Sequence, residues 1–382
     1  DTVLKIYDFP VFYFPKFFHP DPTVERQSGF LKPQLNESKS LGTSFNLPYF
    51  HVISDNKDMT FRPTIFDSKI FMLQNEYRQE NKSSSFIADF GLTRGYKSSL
   101  EGSNKNSMTH LFSKFNSDLK FKDFLKSDLE IFVEKTSNDT YLSLFDANIP
   151  LSDIKPRNKS LLKSGLKLVL DHEEYNFTTG MTLYETLSGT NSDRFQYIFP
   201  YYNFDTILNT NLKGSFNVSS SGSNDLKNTN NLVSKMSNNL TYSSEDYFSN
   251  QGFRNNFGIH FKNFNATAKN DSIYKSNLQS DLMTIFEVET SFPLIKQEKS
   301  NILNSIIPKI SLRYNPTNMK NYTNVERTIN ADNIFSINRL GIGDSFEAGR
   351  SLTLGVDYKK EDLEDSEKFF EFKLATVMRD KF

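Results

Sequence analysis

The chain of 382 residues contains no cysteine, which excludes disulfides, cysteine–zinc sites and thiol nucleophiles. It has no apolar run approaching the roughly 18 residues that a spanning helix needs, so any membrane reading must rest on strands. Net charge is nearly absent, −1 from 45 basic and 46 acidic side chains. No global field therefore draws the protein to nucleic acid or to anionic lipid. Histidine is scarce: His19, His51, His110, His172 and His260 show no metal-ligand spacing and read as surface or lumen residues. Phosphate-binding loops, dinucleotide fingerprints and the G-x-S-x-G elbow are missing as well. No cofactor, no metal and no enzyme activity is expected.

What is present pulls in two directions. Hydrophobic residues make up 37% and mean hydropathy is −0.54, values that suit a very polar or disordered chain. Yet 37 Phe and 17 Tyr bring aromatics to 14%, and disordered chains are poor in them. A transmembrane β-barrel reconciles the two, because its strands alternate apolar toward lipid with polar toward the lumen. The high Asn, Lys, Ser and Phe content also fits an A/T-rich genome and carries no functional argument.

The alternation is explicit in several stretches. Leu166, Leu168 and Leu170 alternate with Lys167 and Asp171, and Phe286, Val288 and Thr290 with Glu287 and Glu289. Ile310, Leu312 and Tyr314 alternate with Ser311 and Arg313, Leu352, Leu354 and Val356 with Thr353 and Gly355, and Phe370 and Phe372 with Glu371 and Lys373. Period two with charges on one face marks strands that line a wet space. Such segments predict roughly fourteen to sixteen strands of about ten residues. Short polar turns such as Asp55–Asp58 contrast with long loops expected at Lys97–Thr109, Ser219–Asn231 and Asn315–Val325. The first residues differ: they are densely aromatic, with prolines at 10, 15 and 20 and a short strand expected at Val11–Phe14. They read as the end of a soluble β domain. The expected division is 1–22 and 23–382, and both chain ends read as cut from a longer protein.

The run Arg26–Pro63 stands apart. Three extended segments, Gly29–Leu35, Thr43–Ile53 and Thr60–Ile65, each hold a proline: Pro33, Pro48 and Pro63. Proline donates no N–H, so a strand interior containing one leaves its ladder incomplete. The residues alone leave two readings open, edge strands or a seam meant to close weakly.

Other motifs resolve into simpler readings. Asp55-Asn56-Lys57-Asp58 lacks the glycine and distal glutamate of a calcium loop and reads as a hairpin turn. Glu173-Glu174, placed in alternation, would point to opposite faces, and Glu361–Glu364 lies in a charged loop, so neither presents the facing carboxylates of glycoside hydrolysis. The basic residues between Arg26 and Arg78 are too dispersed for a nucleic-acid stripe and read as a polar lumen wall.

The order Phe9-Pro10-Val11-Phe12-Tyr13-Phe14-Pro15, then Arg26-Gln27-Ser28-Gly29-Phe30-Leu31-Lys32-Pro33, then Leu47-Pro48-Tyr49-Phe50 and Asp55–Pro63, strongly resembles the LptD family of lipopolysaccharide-assembly proteins. Glu76-Tyr77-Arg78 fits the same pattern, and Asn333–Leu340 with Asp344–Arg350 looks like a later barrel segment. The resemblance implies an all-β protein: a transmembrane antiparallel barrel, incomplete here, preceded by the last strands of a periplasmic jellyroll. It implies an outer-membrane translocon inserting lipopolysaccharide through a lateral gate beside the first barrel strand. The gate would include Ser28, Gly29, Phe30, Pro33 and Pro48, and the jellyroll–barrel junction Pro10, Phe12, Tyr13, Pro15, Pro20 and Pro22. Implied partners are lipopolysaccharide, an LptE-like lipoprotein plug, an LptA-like periplasmic bridge protein and outer-membrane lipid, with no nucleic acid. The family's disulfide cysteines have no counterpart here. Two alternatives stay open: a passive porin or nutrient transporter, and a soluble adhesin-like β protein. An apolar outward face with flanking Tyr and Phe would keep the first two readings, and a polar one would remove both.

Overall fold

Strands patterned with period two cannot stand alone, because each leaves a row of backbone donors and acceptors that only a neighbour satisfies. The computed structural model is accordingly almost all antiparallel sheet. It describes residues 2–6, 9–14, 26–96, 107–188, 193–208, 210–298, 301–318, 328–340, 345–365 and 367–380, with backbone pairing alone for 2–6 and 9–14. Among the described residues no helix is long and apolar enough to cross a membrane.

β1 (Thr2–Ile6) and β2 (Phe9–Phe14) form a separate two-stranded sheet, with Thr2 opposite Phe14 and Ile6 opposite Phe9. The strand expected at Val11–Phe14 lies within β2; its partner β1 had no signal in the alternation. Pro10 pairs with Lys5 beside a register shift, a place where a missing N–H is tolerated. Phe12 and Tyr13 follow it in β2, whereas Pro15, Pro20 and Pro22 lie outside the described residues, as does the division expected after residue 22.

The large sheet begins with β3 (Gly29–Phe30), β4 (Gln34–Ser38), β5 (Gly42–Asn46), β6 (Tyr49–Ser54), β7 (Lys57–Phe66), β8 (Phe71–Glu80), β9 (Ser84–Arg94), β10 (Ser107–Asp118) and β11 (Lys126–Thr136). A short helix, α1 (Tyr141–Phe145), precedes β12 (Leu161–Asp171), β13 (Tyr175–Thr186), β14 (Phe195–Leu208), β15 (Gly214–Lys227) and β16 (Asn231–Ser244). Then come β17 (Tyr247–Phe248), β18 (Arg254–Lys269), β19 (Gln279–Ser291), β20 (Leu294–Gln297), β21 (Ile302–Asn315), β22 (Gly349–Asp362) and β23 (Phe369–Arg379). Neighbouring passes pair antiparallel along the chain from β3/β4 to β23. With β3/β4, β5/β6, β16/β17 and β19/β20 taken as single interrupted passes, the described strands make seventeen passes.

That count exceeds expectation because one expected loop is sheet. Ser219–Asn231 forms most of β15, paired with β16 from Gly214↔Ser244 to Lys227↔Asn231. Only Asn228-Thr229-Asn230 turns, with Asn228 and Thr229 at φ 50° and 60°, the left-handed geometry that tight hairpins use. Serines and asparagines hold a strand here because neighbours on both edges satisfy its backbone. Glu173-Glu174 also departs from expectation: both are exposed in the turn between β12 and β13 rather than alternating across a strand.

The faces separate cleanly. On β18, Gly258, His260, Lys262 and Phe264 are buried while Phe257 and Phe261 are exposed. On β21, Ser311, Arg313 and Asn315 are buried while Ile310, Leu312 and Tyr314 are exposed. Register carries each face across: Val288↔Leu312↔Leu352 and Ile310↔Leu354↔Thr376 lie outward in line. Leu312, Val288 and Leu374 are 54%, 50% and 64% exposed, so the outward face is broadly apolar and the inward face largely polar. The short turns 55–56, 81–83 and 172–174 lie at one end, and the longest connections, 137–160 and 316–348, lie at the other with the short turn 228–230. In the full-length protein, Leu354→Arg is expected to lower the folding free energy into lipid vesicles by about 2–4 kcal/mol, and the inward Ser221→Arg by a small fraction of that. Equal losses, measured by denaturant titration, would contradict this assignment of faces.

Candidate functional site

The segments expected at Gly29–Leu35 and Thr43–Ile53 are the interrupted passes β3/β4 and β5/β6, and Thr60–Ile65 lies inside the continuous β7. Phe30 pairs with Tyr49 and Gln34 with Asn46, so Leu31, Lys32 and Pro33 stand opposite only Leu47 and Pro48. Between β5/β6 and β7 the register runs from Asn46↔Thr64 to Tyr49↔Phe61, which brings Leu47 opposite Pro63. The three prolines thus share one height across three neighbouring passes. Two backbone bonds cross there: Leu31 N–H donates to the Pro48 carbonyl at 2.8 Å and Leu47 N–H to the Pro63 carbonyl at 3.4 Å. Both acceptors are prolines, which cannot return a bond.

Above and below this row the hairpin is tied. At the short-turn end, Ser28 Oγ accepts from Val52 N–H at 2.8 Å. Gly29 pairs with Phe50, and nothing lies within 4 Å of where its Cβ would be. Phe30 is exposed and meets Tyr49 edge-on at 5.1 Å. Asp58, buried on β7, bonds the Arg26 guanidinium and accepts from Arg78 Nε at 2.8 Å. Both guanidinium groups lie over the Phe50 ring, at 5.7 and 6.0 Å. Glu76 continues the alternation of charge toward Arg62, at 3.4 Å. Asp55 and Asn56 make the expected turn, but Asp58 belongs to the strand and the ion cluster. At the long-loop end, Thr43 N–H donates to Asp67 Oδ2 at 3.1 Å and Asp67 N–H to the Thr43 carbonyl at 3.0 Å. Gly42, at φ 76°, is required there, because a Cβ would lie 2.0 Å from Asp67 Oδ1.

Inside the barrel, the connection 137–160 folds against this hairpin. Tyr141, Leu142 and Phe145 of α1 are fully buried with Leu41, Phe66 and Met72. Tyr141 Oη lies 2.7 Å from His110 Nδ1, and His110 Nε2 lies 3.4 Å from Asp89 Oδ2. Gly91 makes the room, since a Cβ would stand 2.3 Å from the His110 ring. Burial pushes the Tyr141 phenol well above the ordinary tyrosine value. Burial also raises Asp146, but hydrogen bonds from Lys159 and Lys155 outweigh it and hold that carboxyl below its ordinary value. None of this was anticipated from the residues, although Tyr141, Leu142, Phe145 and Ile149 form an apolar stripe at helical spacing inside a connection.

Asn333–Leu340, expected as a barrel segment, is a run of turns rather than a strand, and Asp344 lies outside the described residues. The run is pinned to the inward face. Arg313 donates to the carbonyls of Ser336, at 2.7 Å, and Phe335. Arg339, 1% exposed, bonds Glu347 at 2.6 Å and Thr353 at 2.8 Å.

The family model described as LptD protein matches residues 1–149, a span that holds the proline row, both ties and α1. Over that span the chain is similar to the LptD family. Proteins named LPS-assembly protein LptD are similar to it: that of Ectopseudomonas mendocina (strain ymp) is 37% identical over 84 residues, 22% of this chain and 9% of the relative. That of Cupriavidus pinatubonensis is 41% identical over 76 residues, 20% and 9% of the two chains. That of Pseudomonas aeruginosa (strain UCBPP-PA14) is 34% identical over 89 residues, 23% and 10%. The chain thus spans about a tenth of the length of the LptD relatives it matches. Asp58→Asn should lower the denaturant midpoint of the full-length protein by the equivalent of about 1–2 kcal/mol, less than a fully buried pair because its arginines are half exposed. An unchanged midpoint would remove the Asp58 cluster as a tie.

Proposed function

We propose that this chain forms part of an outer-membrane translocon that delivers lipopolysaccharide to the outer leaflet, with β3/β4 as one wall of a lateral gate. The observation that carries this reading is the proline row, crossed by two backbone bonds and tied on both sides. In hydrocarbon a separated strand pair orphans its N–H groups, each at a cost of several kcal/mol. Pro33, Pro48 and Pro63 have no N–H to orphan, so the seam parts there at lower cost. Ser28, Gly29 and Phe30 form the short-turn flank of the opening.

Similarity to the LptD family over residues 1–149 and the apolar outward face support the placement in the outer membrane. The short turns then face the periplasm and the longer connections the exterior. The step is physical: the polar lumen hydrates the sugar while the acyl chains leave sideways. An LptE-like plug would occupy the lumen. An LptA-like protein would deliver lipopolysaccharide to a jellyroll of which β1 and β2 are the end, with Pro10, Phe12, Tyr13, Pro15, Pro20 and Pro22 at its junction with the barrel.

Pro33→Ala with Pro48→Ala restores two donors at about 1 kcal/mol each. Lipopolysaccharide at the cell surface, measured in cells carrying the full-length double variant, should fall by roughly an order of magnitude. Unchanged surface lipopolysaccharide would refute the gate.

A further inference from the structure

The connection 137–160 is more than filling. Its first foot stands on the wall away from the hairpin, where Tyr141 meets His110 at 2.7 Å over the space left by Gly91. Its second foot reaches the second pass: Asn148 Nδ2 donates to Ser44 Oγ at 3.1 Å, between residues 104 positions apart and both buried. Between the feet, Phe145 packs edge-on against Phe66 at 6.1 Å. The backbone of the far foot is braced by Lys155 Nζ, which donates to the carbonyls of Asp146 at 2.8 Å and Ile149 at 3.0 Å.

We infer that 137–160 is a strap that holds the second pass from inside and must release Ser44 before the first hairpin can part. Ser44 and Asn46 face inward on β5, three positions and one position before the break at Leu47-Pro48. If β5 swings outward with β4, the Asn148–Ser44 bond breaks and Phe66 is uncovered to the lumen. The proline row lowers the cost of opening in the lipid plane, and the strap adds a cost on the lumen side. Opening therefore waits on movement inside the barrel. The inference rests on the proposed gate, but its structural half is measurable without transport.

In the full-length protein, Asn148→Ala should speed amide exchange at Phe45 and Asn46 about tenfold while β18 and β19 stay unchanged. Equal rates in parent and variant would overturn the strap whatever the transport result. No cysteine lies in these 382 residues, so Ser44→Cys with Asn148→Cys places a reversible tether between the strap and the second pass. Oxidised, it should cut surface lipopolysaccharide about tenfold and recover with reductant. A second pair, Asp139→Cys with Arg194→Cys, replaces a 2.6 Å contact on the strap's near side and should leave delivery at its reduced level. Full delivery through the oxidised Ser44–Asn148 tether would refute the coupling. An exchange response without lipopolysaccharide delivery in any form would keep the strap and count against the proposed function.

Discussion

A strand whose edges are closed to water has nowhere to place an unused N–H, and that constraint governs the whole sheet. It forces antiparallel neighbours along the sheet and keeps Ser- and Asn-rich β15 in register from end to end. It also makes three prolines at one height conspicuous. Elsewhere in the sheet single prolines interrupt β14 at Pro200 and β21 at Pro308; here the defects line up across three neighbouring passes. The row has fewer bonds to lose, so it is where the sheet parts most readily.

A weak row works only if its surroundings are firm. Asp58 ties Arg26 and Arg78 at one end, and Asp67 ties Thr43 at the other. The buried apolar cluster of α1 backs the second and third passes. Arg313, through the Phe335 and Ser336 carbonyls, and Arg339, through Glu347, hold another connection against the inward face in a comparable way. Buried charges of this kind fix position more than they add stability, which suits elements that must return to one arrangement.

Much of this was legible in the residues. Alternation at Phe286–Thr290, Ile310–Tyr314 and Leu352–Val356 gave the faces that the structure shows, and the prolines marked the first hairpin before any geometry was known. Two kinds of feature were not legible. β15 is a strand whose side chains carry almost no apolar signal, because pairing on both edges rather than burial determines it. The strap depends on Asn148 meeting Ser44 across 104 positions, and no local pattern encodes that meeting. Asn333–Leu340 misled for a related reason: its apolar residues seat a connection on the inward wall rather than a strand in the sheet.

The central claim is that the first hairpin is weak in its middle and firm at its ends. Residue-resolved amide exchange of the full-length protein in lipid nanodiscs tests it most directly. The account predicts that Leu31 and Leu47 exchange at least about tenfold faster than the paired amides of β7 and β8. Uniformly slow exchange through Leu31 and Leu47 would contradict it.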